Sequence, residues 1–152
     1  MPLSRIVNNV GVGKVEATFI NLTTTVAAFQ ATPFTQALVD ARRGACTLMG
    51  NYEVGQGTTT AALFGAVVAV SDNDQAGKSF PDRVVVQVAG FAEIQGTTGA
   101  AAPSAALGST RPPFQNRGRV AQGTTTPAAA MLHSTRGRIV NVYNTDVCVV
   151  AF

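Results

Sequence analysis

Ionisable side chains are too scarce in this chain to clothe a globule. Asp, Glu, Lys and Arg make up 12% of the residues while apolar types make up 46%, and a soluble domain ordinarily carries about 25% charged residues. The apolar residues nevertheless fall in short runs, none approaching the roughly 20 residues of a membrane-spanning helix. The N-terminus, from Met1 through Val7, has no apolar stretch of signal-peptide length. The expectation is a chain made in the cytoplasm that folds around its own core. Its skin remains poor in charge, and large uncharged surfaces find partners. Such a chain is expected to be a building block that binds protein surfaces.

At 152 residues the length suits one domain with a real core. The 15 Gly, the seven Pro and the abundant Thr and Val point away from helix and toward an all-β sandwich or barrel. Val15, Ala17 and Phe19 alternate with Lys14, Glu16 and Thr18, the period of a half-buried strand. Further strand regions are expected at 38–49, with Arg42-Arg43-Gly44 as a polar interruption, and at 63–70. The latter has so little polarity that both its faces should be covered. The stretch 83–94 reads as one long strand. Val84, Val86, Val88, Ala92 and Ile94 line one side, Gln87 and Glu93 mark the other, and Gly90 is a candidate bulge or bend. Strands near 117–121, 138–143 and 147–152 complete the set, the last tucked into a sheet. Residues 23–35 are expected as loop or short helix and 71–81 as a turn-rich loop. The stretch 96–113, low in complexity, is expected to make no core and to form an exposed loop or an arm. The overall expectation is a single β-barrel or sandwich with an extended N-terminal arm and long Gly/Ala/Thr/Pro-rich loops. An arm and first strand region occupy 1–35, the barrel occupies 36–152, and the whole is one structural domain.

A short motif recurs: Gln56-Gly57-Thr58-Thr59-Thr60, Gln95-Gly96-Thr97-Thr98 and Gln122-Gly123-Thr124-Thr125-Thr126. The spacing is unequal, which excludes a solenoid or propeller. Two readings stand: three similar turns, or three loops gathered into a contact rim at one barrel end.

Catalytic chemistry finds little support. A hydrolase needs a nucleophile, a base and a group to hold the base, and the single histidine, His133, stands in a Ser/Thr/Arg turn. Asp72-Asn73-Asp74 opens like a calcium loop but lacks the later Gly and the closing Glu. Gly11-Val12-Gly13-Lys14-Val15 fails the phosphate-loop pattern in both spacing and final residue. Cys46 and Cys148 lie among small or apolar residues with no CxxC. Buried free thiols are expected, with a disulfide between them left open. No enzyme activity, cofactor or metal is expected.

The arginines are the better lead. They supply nine of the eleven basic residues, against eight acids, for a net charge of +3. Nucleic acid calls for a dense basic stripe, which this balance argues against. Arg residues short of internal acids can meet carboxylates on another subunit, where bidentate geometry is strong. The expected interface set is Arg42, Arg43, Arg111, Pro112, Pro113, Phe114, Arg117 and Arg119. Within it, a stiff proline pair presents one aromatic between arginines, residue types common among interface anchors.

Four stretches carry a family resemblance: Ala45-Cys46-Thr47-Leu48-Met49-Gly50, Leu63-Phe64-Gly65-Ala66-Val67-Val68-Ala69-Val70, Val84-Val85-Val86-Gln87-Val88-Ala89-Gly90-Phe91-Ala92 and Gly137-Arg138-Ile139-Val140-Asn141-Val142. Over residues 44–152 the chain resembles, in layout, the small β-barrel decoration (cement) proteins of tailed-bacteriophage capsids. The resemblance implies a non-catalytic homotrimer on the outer capsid surface of the virion, clamping neighbouring major capsid protein subunits. It carries over no individual contact residue. Competing readings are a tail, fibre or head-fibre domain, or a carbohydrate-binding β-sandwich. The sandwich would want exposed aromatics, and the chain has no Trp and two Tyr.

Overall fold

The structure is a computed structural model that describes residues 13–22, 32–57, 61–71, 82–105, 111–122, 135–144 and 147–152. The N-terminal arm up to residue 12, the Asp72–Asp74 turn and His133 lie outside these residues. Eleven strands are described, along with one α-helix and a single 3₁₀ turn at Gly99–Ala101. All-β is the correct class.

Five strands close a barrel: β1 (Val15–Asn21), β2 (Gly44–Gly50), β3 (Glu53–Gly55), β5 (Gly65–Ser71) and β6 (Arg83–Ala89). Around the wall the order is β1-β3-β2-β5-β6, returning to β1. Only the β1–β3 pairing within that wall is parallel. Two three-stranded sheets are added. One has the order β10-β11-β7, from β10 (Arg138–Asn144), β11 (Val147–Ala151) and β7 (Phe91–Gln95). The other has the order β4-β8-β9, from β4 (Ala61–Ala62), β8 (Phe114–Asn116) and β9 (Arg119–Ala121).

Two cores result, and β2 and β5 divide them. Inside the barrel Phe34, Val39, Cys46, Val54, Val67, Val84 and Val86 pack together. On the other side of the same wall Ala45, Leu63, Ala66, Ala92, Ile94, Val120, Ile139, Cys148 and Val150 pack together. Successive strand residues point to opposite faces, so Ala45 serves one core and Cys46 the other, and Ala66 and Val67 do the same on β5. The run Gly44-Ala45-Cys46 and the run Gly65-Ala66-Val67 are wholly buried, and their small side chains allow layers to approach from both sides. The two-sided covering expected of 63–70 holds at its first half, while β5 becomes half-buried beyond Val67.

Three expectations need correction. The start of the supposed 38–49 strand is helical: α1 spans Gln36–Arg42. Thr35 caps it, its hydroxyl accepting from the Leu38 N–H at 3.3 Å, and Gln36 reaches Asp40 one turn on at 2.6 Å. Such caps and i,i+4 pairs stabilise a short helix only modestly. Burial of Val39 and packing of Leu38 against the barrel core complete it. The strand expected over 83–94 is two, and it divides at Gly90, the expected bulge or bend, which takes φ +87. That bend sends Val84 and Val86 into the barrel core and Ala92 and Ile94 into the second core. Gln87, expected on the polar side, is 1% exposed. Its Nε2 donates to the Ala89 and Phe91 carbonyls at 3.1 and 2.7 Å, spanning the bend. Finally, the 96–113 stretch does enter the interior. Gly96, Pro103, Pro112 and Pro113 are buried, and Pro103 packs so closely on Gly96 that a Cβ there would lie 2.7 Å from its ring.

Neutral side-chain amides supply the connections that strands do not. Asn21 grips Phe34 from both sides, donating to its carbonyl at 2.8 Å and accepting from its N–H at 2.9 Å. Gln56 donates to the Pro33 carbonyl at 2.9 Å. Gln122 accepts from Ser104 N–H at 2.9 Å and donates to the Arg111 carbonyl. Thr135 adds a hydroxyl bridge, accepting from Leu63 N–H at 3.1 Å and donating to the Pro113 carbonyl at 2.6 Å. Buried backbone groups must be paired, and amides do this without the desolvation cost of a buried charge.

Candidate functional site

The expected interface residues divide between two places. Arg111 and Phe114 are half-buried, and Pro112 and Pro113 between them are buried. Gln122 holds Arg111 by its carbonyl, Thr135 holds Pro113, and Phe114 begins β8 opposite Ala121. The proline pair therefore packs within the chain instead of standing out from it.

The second place is where the β8–β9 hairpin of the added sheet meets the start of β2. β8 and β9 form a hairpin in which Asn116 pairs with Arg119, leaving Arg117 and Gly118 as a two-residue loop. Both loop residues have positive φ, +51 and +77, as a type I′ turn requires. Arg117 is exposed and Arg119 half-buried. The Gly118 carbonyl accepts from Ala45 N–H at 2.8 Å, which places the turn beside the start of β2. Arg43, two residues before Ala45, is half-buried and takes φ +46, ψ +113 as the helix-terminating residue of α1. Arg42 is the last residue of that helix. That Ala45–Gly118 hydrogen bond sets the backbone segments carrying Arg43, Arg117 and Arg119 side by side, and two of the three described non-glycine residues with positive φ are among them. Non-glycine residues in sparsely populated backbone regions cost on the order of 1 kcal/mol each. Their surroundings must hold them, and here Arg117 N–H donates to the Gly57 carbonyl at 2.6 Å and Arg43 N–H to the Val39 carbonyl at 2.7 Å.

The Gln-Gly repeats converge on the same hairpin. Each lies at the end of a strand: β3, β7 and β9. The Gly57 carbonyl meets Arg117, Gly96 bridges to Val120, Thr97 N–H donates to the Val120 carbonyl at 2.8 Å, and Gln122 is where the hairpin exits. Gln56 and Gln122 are buried, so these two glutamines bind the chain to itself and do not line an outer rim. The Thr tails at 58–60 and 124–126 lie outside the described residues.

Exposed apolar side chains were not anticipated individually. Tyr52 is 75% exposed at the β2–β3 turn with φ +56, and Phe91, Val15, Leu48 and Val140 are each between 44% and 53% exposed. Composition announces such residues collectively but does not say which strand positions miss the core.

Among the described residues no three His, Cys, Asp or Glu side chains come together as metal ligands. No described helix is long and apolar enough to cross a membrane. Cys46 and Cys148 are free thiols in different cores. Burial pushes each from 9.0 to about 12, the Cys46 rise being partly offset by a Gly65 backbone hydrogen bond. An unfolded chain releases these protons near pH 9 while the native chain retains them. The stability present below pH 9 is therefore lost as pH rises toward 12, at up to about 1.4 kcal/mol per pH unit for each thiol. A Cys46→Ala/Cys148→Ala chain should lose less stability between pH 8 and pH 10.5 than the parent in urea titrations. Equal losses would contradict the assignment of these thiols as buried and protonated.

Comparison with known proteins gives no match: no family model fits the chain, and no curated protein or solved structure is significantly similar to it.

Proposed function

We propose that this chain is a virion structural protein that decorates a phage capsid from outside and clamps neighbouring major capsid subunits. What supports this reading best is the outer surface. A closed, charge-poor barrel leaves Tyr52, Phe91, Val15, Leu48 and Val140 exposed, and side chains of this kind, the aromatics above all, can anchor a contact with another protein. The resemblance in strand layout supplies the kind of partner. Self-association into a trimer would cover part of this surface and multiply the contacts offered to the shell.

The mechanism is linkage. A clip that binds the assembled, expanded shell and not its free subunits stabilises the shell by its binding free energy, repeated over many copies. Each contact can then be weak, because multivalency supplies avidity. The test combines light scattering on the purified chain with co-sedimentation on expanded phage shells. A trimer that saturates the shells and raises their melting temperature is the expected result. A monomer at high concentration that stays in the supernatant would overturn the proposal.

A further inference from the structure

We infer that copies of this chain join head to tail, the Tyr52 end of one barrel docking on the Phe91 end of the next. This inference rests on the reading of the chain as a self-associating assembly component and names the two surfaces that meet. Exposed apolar side chains stand at both ends of β1. At its finish the Tyr52 carbonyl accepts from Ile20 N–H at 2.6 Å, and Leu48 lies opposite Val54 on the adjoining strand. At its start Val15 pairs with Ala89. Gly90, the residue before Phe91, lies so close to Lys14 that a Cβ there would stand 2.9 Å from its Cα. The rise from Val15 to Ile20 is about 17 Å at the roughly 3.3 Å per residue of a strand. Tyr52 is the most exposed of these side chains, at 75%. A turn position at φ +56 favours Gly or Asn, so tyrosine there strains the backbone without burying its ring.

Charge complementarity identifies the occupant as a second copy. Val54 and Val84 face the barrel core, so their neighbours Glu53 and Arg83 face outward. Both pair with Ile20, one from each side of β1. At the other end Arg138, Ala151 and Phe91 form one cross-strand row, on the face away from Ile139, Val150 and Ala92 of the second core. Glu93 follows on the same face. Val149 beside it is 0% exposed, so the open part of this face is its end row. Among the described residues Glu53, Arg83, Glu93 and Arg138 form no ion pair, and Arg138 spends one N–H on the Gly137 carbonyl at 2.8 Å. Lys14 and Glu16 satisfy each other at 2.8 Å and add no net charge beside Val15. Each end therefore offers apolar side chains with one acid and one base. Glu53 of one copy meets Arg138 of the next, a carboxylate–guanidinium match. Two different surfaces are used at every contact, and cyclic trimers are built from contacts of this heterologous kind.

The test follows self-association of the full chain by light scattering over a concentration series. Glu53→Arg and Arg138→Glu should each weaken it at least about tenfold. The two reversals move net charge in opposite directions, so a general charge effect would not weaken both. The double variant Glu53→Arg/Arg138→Glu should return to within about threefold of the parent, because the pair re-forms with its signs exchanged. Tyr52→Asn should weaken association without lowering the melting temperature, since Asn tolerates this backbone conformation. The inference is overturned if the parent stays monomeric, if either reversal or Tyr52→Asn leaves association intact, or if the double variant remains as weak as the single ones. Copies that join through this contact but never bind expanded phage shells would overturn the capsid reading and leave the contact standing. A chain that decorates shells as a trimer indifferent to both reversals would do the reverse.

Discussion

Gly44→Ala is expected to cost about 3 kcal/mol. A Cβ on residue 44 would lie 2.0 Å from Phe34 Cε1, 2.6 Å from Cδ1 and 2.9 Å from Cζ. Nothing flexible can yield there. Phe34 is 2% exposed and wedged among Val39, Cys46, Val54, Val67, Val84 and Val86. Its ring must leave its site, and overpacking of a filled core typically costs 1–3 kcal/mol, with displaced aromatics at the high end. Against a total of roughly 5–15 kcal/mol, that loss should appear plainly in urea unfolding followed by circular dichroism. The same substitution in a Phe34→Leu background should cost far less, because the obstructing ring atoms are gone. A Gly44→Ala midpoint equal to the parent's would show that the ring does not occupy this position.

Asn21→Leu is the second large effect, expected at about 3 kcal/mol. The change removes two hydrogen bonds and leaves the Phe34 N–H and carbonyl without the partners they have at 2.9 and 2.8 Å. Each buried group left unpaired costs roughly 1–3 kcal/mol. Asn21 is 3% exposed, so water does not replace the amide cheaply. Native-state hydrogen exchange should show the damage where the segment enters α1, at the amides of Thr32 and Val39, which now donate to the Gln56 and Thr35 carbonyls. Unchanged protection at those amides would count against the role given to Asn21. Both substitutions act through Phe34, so the double variant should lose less than the sum of the two.

Periodicity made the barrel strands legible. Val15-to-Phe19 alternation gave β1, and the unbroken apolar run of β5 announced a wall covered on both sides, which Ala66 and Val67 confirm by facing different cores. The helix escaped notice because residues 36–42 are too few to establish a 3.6 period, and tertiary burial of Val39 decides the matter. Polarity misled at Gln87, since an amide can be interior when it bonds to carbonyls at a bend in the chain. The arginines were legible as a class. The approach of the segments that carry Arg43 and Arg117 was not, because it depends on the Ala45–Gly118 hydrogen bond, a long-range pairing that no local pattern encodes. Proline was misjudged for a similar reason. Its stiffness suggested presentation, while Thr135 and Gln122 draw the Arg111–Pro113 segment inward.

The partition formed by β2 and β5 has a mechanical consequence. A tug on the C-terminal sheet is passed through Cys148 and Val150 to Ala45 and Ala66, and these sit on the very strands that also bound the barrel interior. Loss of either half would bare one face of both strands, so the two halves are expected to rupture together under load.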